Sequence, residues 1–111
     1  MITVFASFYP NEKDVENVRK ILQGMVEPTR NEQGNVTYDL YSMDDIENEG
    51  TETYHLFEIY TGKEALDFHR ETAHYKDYRA SIVKYLKKPI QVKVLNTVSY
   101  THLTLPTICS V

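Results

Sequence analysis

The chain has 111 residues, 41% hydrophobic and 25% charged, with a formal charge of −4. That is the composition of one soluble globular domain, small enough that self-association is expected to complete its core. An acidic balance, with a pI near 5.5, argues against a phosphate-binding face and therefore against nucleic acid as a partner. No apolar run approaches the roughly 20 residues that cross a bilayer, and Met1 to Phe5 lacks the basic start and apolar stretch of a signal peptide, so no membrane partner and a cytoplasmic location are expected.

Taken in chain order, Ile2 to Tyr9 is a β-branched and aromatic run stopped by Pro10-Asn11, a strand followed by a break. Asn11 is placed to cap a helix whose apolar face is Val15, Val18, Leu22, Met25 and Val26, with Pro28 ending the pattern. The cluster Asn31 to Asn35 is a turn, after which Val36, Tyr38 and Leu40 alternate with polar neighbours as a second strand. The acidic run Asp44 to Gly50 is a solvated hairpin loop, since its oxygen ligands lack the regular spacing that calcium requires. A third strand follows from Thr53 to Tyr60.

Thr61-Gly62 breaks that strand, and Lys63 to Arg70 forms a short helix. Thr72 caps a further helix carrying Tyr75, Tyr78, Ile82, Tyr85 and Leu86, which Lys87-Lys88 and Pro89 close. Ile90, Val92 and Val94 mark a last strand. The order β-α-β-β-α-α-β is that of an α+β, ferredoxin-like split βαβ sandwich, with helices on one face of an antiparallel sheet. The other face, carrying Val, Ile and Tyr side chains, has no element of its own to cover it, so a second copy is the natural cover.

The last fifteen residues, 97–111, contain no Asp, Glu, Lys or Arg, although charge is evenly spread before them. Val98 to Thr107 resembles the in-frame translation of a transposon-type sequencing-library adapter. That frame requires Ser, Pro, Thr or Ala at position 97 and a codon opening with A at 108; Thr97 and Ile108 satisfy both. The expectation is a domain over residues 1–96 and a non-native tail over 97–111, which removes His102, Pro106 and the single cysteine, Cys109, from any mechanism.

The stretch from Thr29-Arg30 through Glu32, Gly34, Tyr38 and Leu40-Tyr41 sets a pattern, continued by Phe57-Glu58 with Tyr60, Glu64-Ala65-Leu66, and His69 with His74-Tyr75. It resembles the antibiotic biosynthesis monooxygenase domain family, nearest its quinol-monooxygenase-like and autoinducer-processing members, over almost all of Ile2 to Leu95. The resemblance implies a dimeric α/β barrel in which two ferredoxin-like sheets face each other. It also implies a small-molecule substrate.

His69 and His74 are the candidate catalytic residues. On one continuous helix a spacing of five would hold them about 140° apart, poor geometry for one metal ion, so no metal is expected. Behind a Thr72 cap, His74 lies in the first turn of its helix, where the dipole favours a neutral imidazole able to accept a proton. The bland alternative is a histidine that only bridges the helix junction while His69 packs on the sheet. Tyr38, Glu58 and Tyr60 share strand parity with Val36, Leu40 and Leu56 and are candidates for binding substrate in a cleft between sheet and helices; ordinary core packing is the alternative for each tyrosine. Glu58 among Leu56, Phe57 and Ile59 needs a partner, with Arg30 or a histidine expected, and Arg30 completes the candidate substrate-binding set.

The chain departs from the family in having no Trp, so the Trp and Asn pair credited with quinone-forming chemistry in some members is not matched. Haem-degrading relatives carry a tryptophan where this chain has His69 and a haem-ligating histidine where it has Arg79, so haem is not expected. No Gly-rich nucleotide fingerprint is present either, so no flavin or nicotinamide is expected, and no cofactor at all. The functional expectation is a homodimeric, cofactor-independent monooxygenase that oxidises a small quinol or phenol with molecular oxygen through a histidine base. Two alternatives stay open: isomerisation of a small hydroxyketone or signal molecule, and a non-catalytic ligand-binding stress-response module.

Overall fold

The computed structural model describes residues 1–44 and 46–99. His102, Pro106 and Cys109, with most of the tail, lie outside the described residues.

Seven principal elements follow in the order β1 (Ile2–Phe8), α1 (Val15–Arg30), β2 (Asn35–Asp44), β3 (Glu52–Tyr60), α2 (Lys63–Glu71), α3 (Ala73–Ile82) and β4 (Gln91–Asn96). The strands form one antiparallel sheet in the order β2-β3-β1-β4, the split βαβ arrangement. Alternation along each strand sorts its side chains. Ala6 and Phe8 of β1, Tyr38 of β2 and Tyr54 and Leu56 of β3 meet Val18, Leu22 and Met25 of α1 and Tyr78 and Ile82 of α3 in the main core. A smaller core joins Val4 and Tyr60 to Leu66 of α2.

The opposite sheet face has no helix over it among the described residues. Phe5 stands across from Phe57 there, and Tyr41, Met43 and Leu95 are 55%, 49% and 49% exposed. Between these apolar side chains, Ser7 Oγ and Thr53 Oγ1 each lie 2.9 Å from a ring nitrogen of His55. No described helix is long and apolar enough to cross a membrane.

Four local expectations are corrected. Asn11 precedes a short 3-10 turn, Glu12–Asp14, and its side chain makes no capping bond; its amide donates to Asp14 instead. Pro28 lies inside α1 rather than ending it. In the last turn a proline forfeits only one helical bond, and the chain continues through Asn31 N–H to Glu27 O and Glu32 N–H to Thr29 O, with Thr29 fully buried.

Val36 does not share the inward face of Tyr38. Asn35 pairs with Tyr60 and Thr37 with the adjacent Ile59, so Val36 is the extra residue of a bulge and is 41% exposed. Finally, α3 stops at Ile82 and tightens into a 3-10 turn, Val83–Tyr85. Leu86 is already bridged to Pro10 and Lys87 N–H bonds Tyr9 O, so pairing with the end of β1 displaces the last helical turn.

Candidate functional site

The break between α2 and α3 builds the site. Thr72 is extended, with φ −73 and ψ 154. Its hydroxyl donates to His69 O at 2.7 Å and accepts the Tyr75 N–H at 3.2 Å, closing one helix and capping the next. The sequence reading of Thr72 thus describes the junction correctly. Two helices meeting at an angle bring together residues that one continuous helix would hold apart, so the 140° argument does not apply to His69 and His74.

Both imidazoles converge on Glu32. His69 Nδ1 lies 2.8 Å and His74 Nε2 2.6 Å from the same oxygen, Glu32 Oε2. Glu32 is held by the backbone of the α1–β2 turn, its N–H bonded to Thr29 O and its carbonyl to Asn35 N–H, and it is only 8% exposed. An ionised carboxylate can only accept, so against an ionised Glu32 each of these two ring nitrogens is the donor, which sets the tautomer of both rings.

The three residues differ in access. His69 is 2% exposed and boxed by the rings of Tyr38, Tyr60 and Tyr75, at centroid distances of 6.0, 5.2 and 5.0 Å. Burial holds it below its usual 6.5, with Glu32 pulling the other way, so at neutral pH it is an uncharged donor. The His74 side chain is 25% exposed and borders an open groove of about 860 Å³, together with Glu32, Gly34, Ala65, Phe68 and Thr72. Gly34 is required there, since a Cβ at that position would stand 2.3 Å from the Ala65 Cβ. Phe68, 60% exposed, supplies an apolar lip.

The remaining sequence candidates lie elsewhere. Tyr38, Glu58 and Tyr60 do face the helices, but they are 1%, 5% and 0% exposed and the expected cleft is filled by core. Beside Glu58 and His69 there is a cavity of only about 20 Å³, room for one water. Glu58 is partnered neither by Arg30 nor by a histidine. Tyr60, two residues along the same strand face, donates its hydroxyl to Glu58 Oε1 at 2.7 Å, while Arg30 turns outward to Tyr38 O and Asp39. Burial pushes the Glu58 carboxyl up to about 7, opposed by the Tyr60 hydrogen bond and the charge of Arg70. The Tyr38 hydroxyl and Thr29 Oγ1 are buried without a hydrogen-bond partner among the described residues.

Residues 1–81 match the antibiotic biosynthesis monooxygenase family, and the chain belongs to it. It is 40% identical over 94 residues to Rv0793 of Mycobacterium tuberculosis, named provisionally as a monooxygenase, spanning 85% of this chain and 88% of that one. The solved structure of Rv0793 superposes with a TM-score of 0.82 at 37% identity, covering 91% of this chain and 98% of its own. YcnE of Bacillus subtilis, also provisionally named a monooxygenase, is 34% identical over 70 residues, or 63% of this chain and 70% of that one. A family structure from Nitrosomonas europaea shares the fold with a TM-score of 0.79 at 20% identity, covering 89% of this chain and all of its own. Family and relatives together support a monooxygenase-like function.

Proposed function

We propose that the chain is a cofactor-independent monooxygenase that oxidises a small quinol or phenol with molecular oxygen, acting in the cytoplasm as a homodimer of the 1–96 domain. The observation that carries this reading is the 2.6 Å contact between His74 Nε2 and buried Glu32 at the edge of the groove. With Nε2–H committed to the carboxylate, Nδ1 is the nitrogen able to take a proton, and Glu32 stabilises the imidazolium that results.

A phenol seated in the groove gives its hydroxyl proton to His74. The resulting anion is the reductant: oxygen takes electrons from the ring, one oxygen atom enters the product and the other leaves as water. A phenol plus O2 gives a quinone plus H2O, so the atoms balance without a further electron donor. The protein's part is to deprotonate, orient and shield the anion, with Phe68 and Ala65 offering apolar contact to the ring. His69, neutral and buried, holds Glu32 from behind. Tyr38 and Tyr60 pack against the His69 ring, and the Tyr60 hydroxyl holds Glu58 beneath it. The exposed apolar face around Phe5, Tyr41, Met43 and Leu95 supports the homodimer, sheet against sheet.

The test is oxygen uptake with a panel of quinols and phenols. Uptake that depends on both substrate and His74 supports the reading; conversion of hydroxyketones without oxygen uptake would move the chain to the isomerase alternative.

A further inference from the structure

We infer that Glu32, His69 and His74 also form a binding site for a divalent transition-metal cation, which takes the place of the two N–H hydrogen bonds that the cluster otherwise makes. This goes beyond the proposed reaction and does not depend on it.

The donor set is two imidazole nitrogens and one carboxylate, the ligands that zinc, cobalt, nickel and iron(II) accept. All three ligand atoms lie within 4.8 Å of one another. Ions of this kind bind nitrogen and oxygen at about 2.1 Å, so ligand atoms of a tetrahedral site stand about 3.4 Å apart. The histidine-to-carboxylate distances of 2.8 and 2.6 Å therefore have to open by less than 1 Å while the two rings draw together. His74, on the first turn of α3 and partly exposed, is the ligand free to make that adjustment.

Three further features favour a metal site over an incidental cluster. The ligands come from two places in the chain, the α1–β2 turn and the α2–α3 junction, so the fold brings Glu32 onto a histidine pair that the Thr72 cap already holds close. Glu32 and His69 are both nearly buried, which removes competing water from two of the donors. Three protein ligands with the groove beside them leave further coordination positions open toward it, the pattern of reactive rather than purely structural zinc sites. When an ion is bound, each imidazole carries its proton on the nitrogen away from the metal, and His74 no longer has a free nitrogen with which to act as a base.

The experiment is a metal titration of the untagged full-length chain after chelator treatment, with Zn(II) followed by calorimetry and Co(II) by its visible absorption. Cys109→Ser and His102→Gln are introduced in every protein, so that neither can supply a ligand. One ion per chain is expected. Glu32→Gln and His74→Gln should each weaken binding at least tenfold, since even indirect partners of metal ligands cost 10- to 100-fold. His55→Gln, on the opposite sheet face, should leave it unchanged. His74→Gln alters a partly exposed side chain and keeps the test informative if Glu32→Gln folds poorly. No saturable binding, or binding as tight in the His74→Gln protein as in the parent, overturns the inference. Oxygen uptake measured separately in excess chelator shows whether the proposed reaction stands or falls on its own.

Discussion

Glu58 offers a quantitative test of the core beneath the site. Its carboxyl is 5% exposed and is pushed from the usual 4.5 up to about 7, chiefly by burial. The folded chain therefore keeps this proton to higher pH than the unfolded chain does. Between pH 4.5 and 7 the unfolded state binds fewer protons, so this group's contribution to stability falls as pH rises and the full cost is present above about 7. At about 1.36 kcal/mol per pKa unit, that gap is worth about 3 kcal/mol. Glu58→Gln removes the titration while its amide oxygen can still accept the Tyr60 hydroxyl. Urea unfolding of both proteins at pH 5 and pH 8 gives the variant-minus-parent stability at each pH, so any constant cost of the amide cancels. His69, whose lowered pKa gives a contribution of the opposite sign, is common to both proteins and cancels as well. The variant should gain about 2 to 3 kcal/mol relative to the parent between the two pH values. Parallel pH profiles would refute the buried-carboxyl reasoning.

Three further outcomes are expected. Gly34→Ala should destabilise by about 1–3 kcal/mol in urea unfolding through its overlap with Ala65. Thr72→Ala, which removes the hydroxyl shared by His69 O and Tyr75 N–H, should cost about 0.5–2 kcal/mol in thermal or chemical unfolding. Sedimentation equilibrium at micromolar concentration should give a mass near twice 13.0 kDa; a stable monomer would remove the basis for sheet-to-sheet pairing.

Element order and the two sheet faces were legible in the sequence because period-two and period-3.6 patterns report directly on burial. The Thr72 cap was legible because its geometry is local. Val36 was misread because a bulge shifts parity without changing composition. Pro28 was misread because a proline's cost depends on how many helical bonds follow it, and here the helix was nearly over. Glu32 escaped the site reading altogether. In a turn rich in Asn, Gln and Gly it has the look of a solvated residue, and only the fold of α2 and α3 over that turn buries it. The signal that was available was two histidines straddling a helix cap, a pair that calls for a shared acidic partner. Glu58's partner was readable too, since Tyr60 shares its strand face two residues away, whereas Arg30 had no parity argument in its favour.

The proposed role of His74, oriented by Glu32, is that of the base in an oxygen-consuming reaction in the groove. The most direct measurement is oxygen uptake by the parent, His74→Gln and Glu32→Gln proteins across a panel of small quinols and phenols, in excess chelator. Substrate-dependent uptake by the parent is expected, with a loss of about 10² to 10⁴ in rate for His74→Gln, the usual cost of removing a general base. Undiminished uptake by His74→Gln, or no uptake by the parent with any member of the panel, would contradict that role.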